Sequence, residues 1–164
     1  MSGKKHRHAR RVDYWADPAA PKPTSRKPSA SVVVCNGAGD LLLLRRPDSG
    51  RWTIPTGGLK KNESLTQCAV RECHEETGLE IEVTSLVGVF SDPRHVIAYA
   101  DGEVRQPVNA CFRARVIGGD LRTTDEASEV AWVPSARLED YDIHPAILRR
   151  IVHGLQAGSV PHVD

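Results

Sequence analysis

The segment from Ser64 to Gly78 constrains this chain most, because it is a helix marked at both ends that turns its acids toward its apolar stripe. Ser64 and Gln67 form the S-x-x-Q pattern of a capping box, and Gly78 supplies a residue able to end the helix in the left-handed conformation. With Leu65 taken as zero and about 100° per residue, Cys68 falls near ~300°, Ala69 near ~40°, Glu72 near ~340° and Glu76 near ~20°. Glu75, near ~280°, flanks the same stripe. A surface helix sends Glu to the opposite face and pairs it with Lys one turn on, whereas like charges at that spacing repel by roughly a few tenths of a kcal/mol. The arrangement needs a counter-charge, and a hard divalent cation such as Mg²⁺, which takes one or two carboxylates, waters and substrate phosphate oxygens, is a natural one.

Taken alone, E-x-x-E-E also reads as a solvated acidic face with Arg71 as an ordinary surface residue. The neighbouring residues favour the first reading. Immediately upstream, Pro55-Thr56-Gly57-Gly58 forms a turn between a short strand and the helix, where small residues let backbone groups approach a phosphate or a metal.

The rest of the chain supplies a frame for this helix. SVVVCN and LLLLRR are apolar runs separated by Gly37-Ala38-Gly39-Asp40, a hairpin pattern, and Trp52 to Pro55 reads as a short third strand. Leu79 to Val83 alternates with period two, and Leu86 to Phe90 and His95 to Tyr99 read as further strands. Asp101-Gly102 can close a hairpin onto Val108 to Val116, with Val130 to Val133 as a later strand. Ile147, Ile151 and Leu155 recur every four residues between Pro145 and Gly154, which predicts a C-terminal helix. Strands on both sides of one helix, with a second helix last, predict an α/β fold in which a mixed sheet packs between helices. The expected organisation is a basic, Pro-rich, partly disordered lead-in over 1–30, one domain over 31–155 and a tail over 156–164.

The residues from Gly57 to Leu79 resemble the Nudix box, G-x5-E-x7-R-E-U-x-E-E-x-G-U with U aliphatic: Gly57, Glu63, Arg71-Glu72, Glu75-Glu76, Gly78 and Leu79 all fall at its spacings. Cys73 replaces the first aliphatic position. Lys60 and Asn62 stand where many members have an acid and a glycine, and Thr56 where a third glycine is frequent. These differences bear on the loop that approaches phosphate rather than on the acids. The resemblance implies the Nudix α/β/α sandwich and a Mg²⁺-dependent hydrolase, with Mn²⁺ as a substitute ion, acting on the pyrophosphate of a nucleoside diphosphate linked to another group.

By the same resemblance, Glu72, Glu75 and Glu76 bind divalent metal, the carbonyl of Gly57 adds a ligand, and Glu63 with Arg71 orients the helix and its carboxylates. Nudix enzymes take their general base either from a box glutamate, here Glu72 or Glu75, or from a later loop, where Glu126 is preferred over Glu129. Arg45 and Arg46 at a strand end and Gly58 in the turn are candidate phosphate contacts, and His95 and Tyr99, which follow Ser91-Asp92-Pro93-Arg94, are candidate substrate contacts. Surface charges and a plain turn are the competing readings of these positions. A proline in the region of Pro93 is associated with ADP-ribose hydrolases of the family, so ADP-ribose is the first substrate guess. Nucleoside triphosphate hydrolysis and a non-catalytic, nucleotide-binding regulatory role are the alternatives. Ser-His-Asp catalysis is not supported, since no G-x-S-x-G occurs.

Composition narrows the partners. The 164 residues carry a formal charge of +1, but Lys4, Lys5, Arg7, Arg10 and Arg11 lie before any acid, so the remainder has 17 basic residues against 21 acidic. A small-molecule nucleotide is therefore expected rather than a nucleic acid, and a homodimer stays open. No apolar run has the ~18 residues of a membrane span, and the basic N-terminus lacks the apolar stretch of a secretory signal, which together predict a soluble, cytoplasmic protein. Cys35, Cys68, Cys73 and Cys111 form no C-x-x-C pair and are expected as reduced core residues.

Overall fold

SVVVC and LLLLR are apolar on both faces of the pleat, and strands of that kind must be covered on both sides. In the computed structural model, which describes residues 10–156, 158 and 160–164, this is what decides the layers. Strand β2 (Ser25–Cys35) sends Val32 and Val34 to one side and Val33 to the other, and β3 (Leu41–Arg45) sends Leu42 to the first side and Leu41 and Leu43 to the second. Helix α1 (Leu65–Thr77) covers the first side with Cys68, Ala69 and Cys73; helix α2 (Pro145–Leu155) covers the second with Ile147 and Ile151. The architecture is α/β/α. Each of the four leucines of β3 is fully buried, a burial that stabilises by roughly 1.5 to 3 kcal/mol per side chain.

The remaining strands are β1 (Arg11–Trp15), β4 (Trp52–Thr53), β5 (Thr56–Gly58), β6 (Leu79–Phe90), β7 (His95–Tyr99), β8 (Val104–Gly119), β9 (Glu129–Val133) and β10 (His162–Val163). They form one mixed sheet with the path β1-β7-β8-β2-β3-β4, on which β5 joins β2, β9 joins β3, and β6 pairs with both β8 and β10. The β2–β8 pair is parallel from Ser25↔Arg105 to Cys35↔Arg115. The capping box at the start of α1 is formed, with Gln67 N–H donating to Ser64 Oγ at 3.1 Å and Ser64 N–H to Gln67 Oε1 at 2.7 Å. Gly78 ends the helix at φ 80°, its N–H bonding the carbonyl of His74 at 2.9 Å. All four cysteines are free; Cys68, Cys73 and Cys111 are buried in the core.

Three expectations change. The ordered structure does not wait for Ser31: β1 lies within the supposed lead-in, where Val12, Tyr14 and Trp15 are themselves strand formers and pair with β7, and β2 begins at Ser25, where pairing with β8 orders residues whose composition alone favours no strand. Arg11, read as part of a basic arm, pairs with Tyr99 in the sheet, while Lys4, Lys5 and Arg7 lie outside the described residues. The segments Leu79 to Val83 and Leu86 to Phe90 are one strand, whose register shifts at Glu80/Ile81, Val83/Ser85 and Leu86/Gly88 break the period-two pattern without breaking the pairing. In the supposed tail, His162 and Val163 pair with Gly88 and Val89.

Helix α2 starts on an uncommon cap, His144, whose Nδ1 accepts the N–H of Ala146 at 3.2 Å and must be unprotonated to do so. Burial pushes the His144 pKa down to about 4, with the charges of His95, Arg51 and Arg11 acting the same way and Asp13 opposing them. Its folded value lies below the unfolded one, so its contribution to stability is complete above the ordinary histidine range and is lost as pH falls through about 6.5 toward 4. We expect the melting temperature to fall across that window, and to fall less steeply in H144N, which keeps a cap acceptor that does not titrate. Equal slopes in the two proteins would remove His144 as the cause.

Candidate active site

The periodicity of α1 buries Glu72 and Glu76, which are 4% and 3% exposed. Glycine at position 57 makes room for the first of them: β5 pairs Gly57 with Ala30 of β2, and a Cβ on Gly57 would overlap the carboxylate of Glu72. Glu76 Oε1 accepts the N–H of Thr56, in the same turn, at 3.2 Å. Burial, and then the neighbouring charge of Glu72, push the Glu76 carboxyl well above its usual range, with Arg46 acting against them.

The β8–β9 connection brings a third carboxylate. Arg122 N–H bonds the carbonyl of Thr77 at 2.9 Å, and Thr124 Oγ1 donates to the carbonyl of Glu76 at 3.0 Å, so the connection is fastened to the last turn of α1. The same hydroxyl accepts the N–H of Glu126 at 3.2 Å. One carboxylate oxygen each of Glu72, Glu76 and Glu126 then lies within 4.8 Å of the other two. Such a set, of oxygen donors only and with two members buried, has the chemistry of a hard divalent cation site.

Arg71 fastens the other side. It forms a two-bond pair with Glu63, Nε to Oε2 at 2.9 Å and NH2 to Oε1 at 2.6 Å, and also donates to Glu72 Oε1 at 2.6 Å and to the carbonyl of Gly58 at 3.1 Å. The hydrogen bonds from Arg71 hold Glu63 down at about 2. The turn, Glu63 and Glu72 thus share one guanidinium. Glu75 lies half-buried beside this group, 3.3 Å from Arg71 and 3.6 Å from Lys60 Nζ, and it is not a member of the close triad with Glu126.

The substrate-side candidates separate. Arg46 is pinned by Asp48 at 2.9 and 2.6 Å and lies close enough to Glu76 for their charges to interact. Arg45 is exposed and bonds Glu129 at 2.6 Å and the carbonyl of Gly50 at 2.9 Å. His95 is buried with Asp13, at 3.3 Å, and stacks on His144; the Tyr99 ring lies 4.8 Å beneath the guanidinium of Arg105. Thr124, which sequence reasoning passed over, carries no motif signal; its role follows from the fastening of its connection to α1.

Adding a methyl group where Glu72 packs should force the carboxylate or the strand to move. Gly57→Ala is expected to cost about 1 to 3 kcal/mol in urea unfolding of the metal-free protein. An unchanged midpoint would mean that Glu72 has room to shift.

Comparison with known proteins places this geometry in a family. The sequence profile of the NUDIX domain matches residues 25–153. The chain is 34% identical over 121 residues to a MutT-like protein of Streptomyces ambofaciens, covering 73% of this chain and 72% of that one. It is 30% identical over 110 residues to a putative 8-oxo-dGTP diphosphatase of Bacillus subtilis, covering 66% and 67%. The crystal structure of an ADP-ribose pyrophosphatase from Streptococcus suis superposes with a TM-score of 0.64 over 85% of this chain and 97% of that one, and at 18% identity shows the fold alone. With a profile match over most of its length and the buried glutamates of the box in place, the chain belongs to the Nudix hydrolases, a family of pyrophosphohydrolases.

Proposed function

We propose that the chain hydrolyses the pyrophosphate linkage of a nucleoside diphosphate that bears a further group, with Mg²⁺ as the working ion and Mn²⁺ as a substitute. The observation that carries this reading is the convergence of Glu72, Glu76 and Glu126 within 4.8 Å beside a glycine turn. Glu72, Glu76 and Glu126 would hold the cation, with Glu75 and the carbonyl of Gly57 as further ligands by family resemblance. When bound, the ion supplies charge neutralisation to the phosphate oxygens and acidity to the attacking water. In the hydrolysis a water oxygen attacks phosphorus as the bond from phosphorus to the bridging oxygen breaks and the released phosphate departs as the anion; Glu126, through the carboxylate oxygen not given to the cation, would take the proton the water loses. Thr124 positions Glu126, and Arg71 holds Glu72 against the turn at Gly58. Arg46, fixed by Asp48, offsets part of the negative charge around Glu76.

Two observations bear on the substrate. The sequence relative that covers two thirds of both chains and is named as a putative 8-oxo-dGTP diphosphatase favours nucleoside triphosphates. Pro93, by its association within the family, favours ADP-ribose. A Mg²⁺-supplemented screen over ADP-ribose, NADH, dinucleoside polyphosphates, nucleotide sugars and triphosphates decides between them. Binding of any of these without turnover would instead favour a regulatory nucleotide-binding role.

E72Q and E76Q keep size and helix propensity while removing one anionic donor. Each is expected to lower kcat by about 10² to 10⁴, or roughly 3 to 5 kcal/mol of barrier, with metal-free stability unchanged or slightly raised. Full activity in both variants at the wild-type metal dependence would overturn the assignment. Independently, a hundredfold excess of Mg²⁺ over its Kd should stabilise the wild type by about 2.7 kcal/mol relative to EDTA. Identical melting with and without the ion would remove the metal site.

A further inference from the structure

Arg150, on the inner face of α2, is 4% exposed, and its guanidinium lies over the ring of Phe90, 5.9 Å from the centroid. Its Nε–H is enclosed with no acceptor, and among the described residues the guanidinium makes no hydrogen bond or ion pair. Half-buried arginines are answered by acids: Arg11 by Asp13, Arg46 by Asp48, Arg71 by Glu63. Burial lowers the pKa of Arg150 to about 10, which still leaves it charged at neutral pH. A buried cation without a partner is among the least favourable groups a core can hold.

The charge around it does not balance. Asp13 is engaged by Arg11 through two bonds of 2.9 Å, and His95 and His144 have pKa values lowered chiefly by burial, so both are neutral at pH 7. Arg11, Asp13, His95, His144 and Arg150 together carry one net positive charge. Arg150 also lines a small, partly open cavity walled by Trp15, Phe90, His95, Pro107 and Arg149. Two acids at the cavity, Asp92 and Asp164, are committed elsewhere. Asp92 is paired with Arg94 and lies 3.8 Å from Arg149; Asp164 takes Arg149 at 2.8 Å, His162 at 2.7 Å and the N–H groups of Ser91 and Asp92 at 2.9 and 3.0 Å.

We propose that this cavity binds a small inorganic anion, chloride in the first instance, with Arg150 as its charged ligand. A water molecule would leave the charge of the guanidinium unanswered, whereas a small anion answers it. A cation is the other ligand to weigh, since ligand atoms of Asp13, His95 and His144 lie within 4.8 Å of one another. It would add positive charge beside Arg11 and Arg150 and compete with Arg11 for Asp13, so charge balance favours the anion.

The test is thermal melting of the full chain at constant ionic strength, with chloride exchanged for gluconate. A saturable increase of about 2 to 4 °C is expected in chloride and in bromide. In R150M the chloride-specific increase should vanish. Chloride-35 NMR reads the same site without a variant: excess line broadening by the wild type should saturate at one site per chain and be displaced by bromide. Equal melting in chloride and gluconate, with no saturable broadening, would overturn the proposal in favour of a buried water. Broadening that persists in folded R150M would overturn the assignment to Arg150.

Discussion

Two glutamates turned into the protein from α1 are the constraint around which the first side of the sheet is arranged. Desolvation and mutual repulsion both act against Glu72 and Glu76, and each neighbouring feature answers one of these costs. The Thr56 N–H and the Arg71 guanidinium supply hydrogen bonds, the missing side chain of Gly57 supplies space, and Arg46 supplies opposite charge nearby. What these leave unneutralised is the part a cation is suited to take. The same pressure explains why the β8–β9 connection is held so closely: Thr124 and Arg122 fasten it to the end of α1, so that Glu126 adds its charge at a set distance rather than sampling solvent.

The opposite side of the sheet has the reverse imbalance. There α2 buries Arg150, and the polar groups around it, Arg11, Asp13, His95 and His144, are either paired with one another or neutral. The fold thus carries buried negative charge under one helix and buried positive charge under the other, separated by strands that are apolar on both faces. Helix α2 depends on this cluster for its own start, since the cap that begins it is an imidazole held neutral by burial.

Much of this was legible in the residues. The capping box, the left-handed terminator and the angles of Glu72 and Glu76 about the helix axis follow from local rules that tertiary contacts did not override. Strands on both sides of one capped helix, with a second helix last, foretold a sheet packed between helices. Less legible was Ser25 to Ala30, whose strand character comes from a partner strand eighty residues away, and Arg11 to Trp15 was passed over although Val12, Tyr14 and Trp15 favour a strand. His95 is a case of the same kind: its position after a proline turn suggested a substrate contact, whereas its partners are Asp13 on β1 and His144 before α2.

From sequence alone came the helix, its direction of charge and the family's spacing of Gly57, Glu63, Arg71, Glu72, Glu75 and Glu76, because spacing along a helix is a local property with a fixed period. The tertiary structure alone decided that Glu126 joins Glu72 and Glu76 while Glu75 turns toward Arg71 and Lys60, and that Arg150 is buried without an acid. Those outcomes depend on where a connection is fastened and which elements cover a side chain, and the distances they require are set between segments that the chain order leaves far apart.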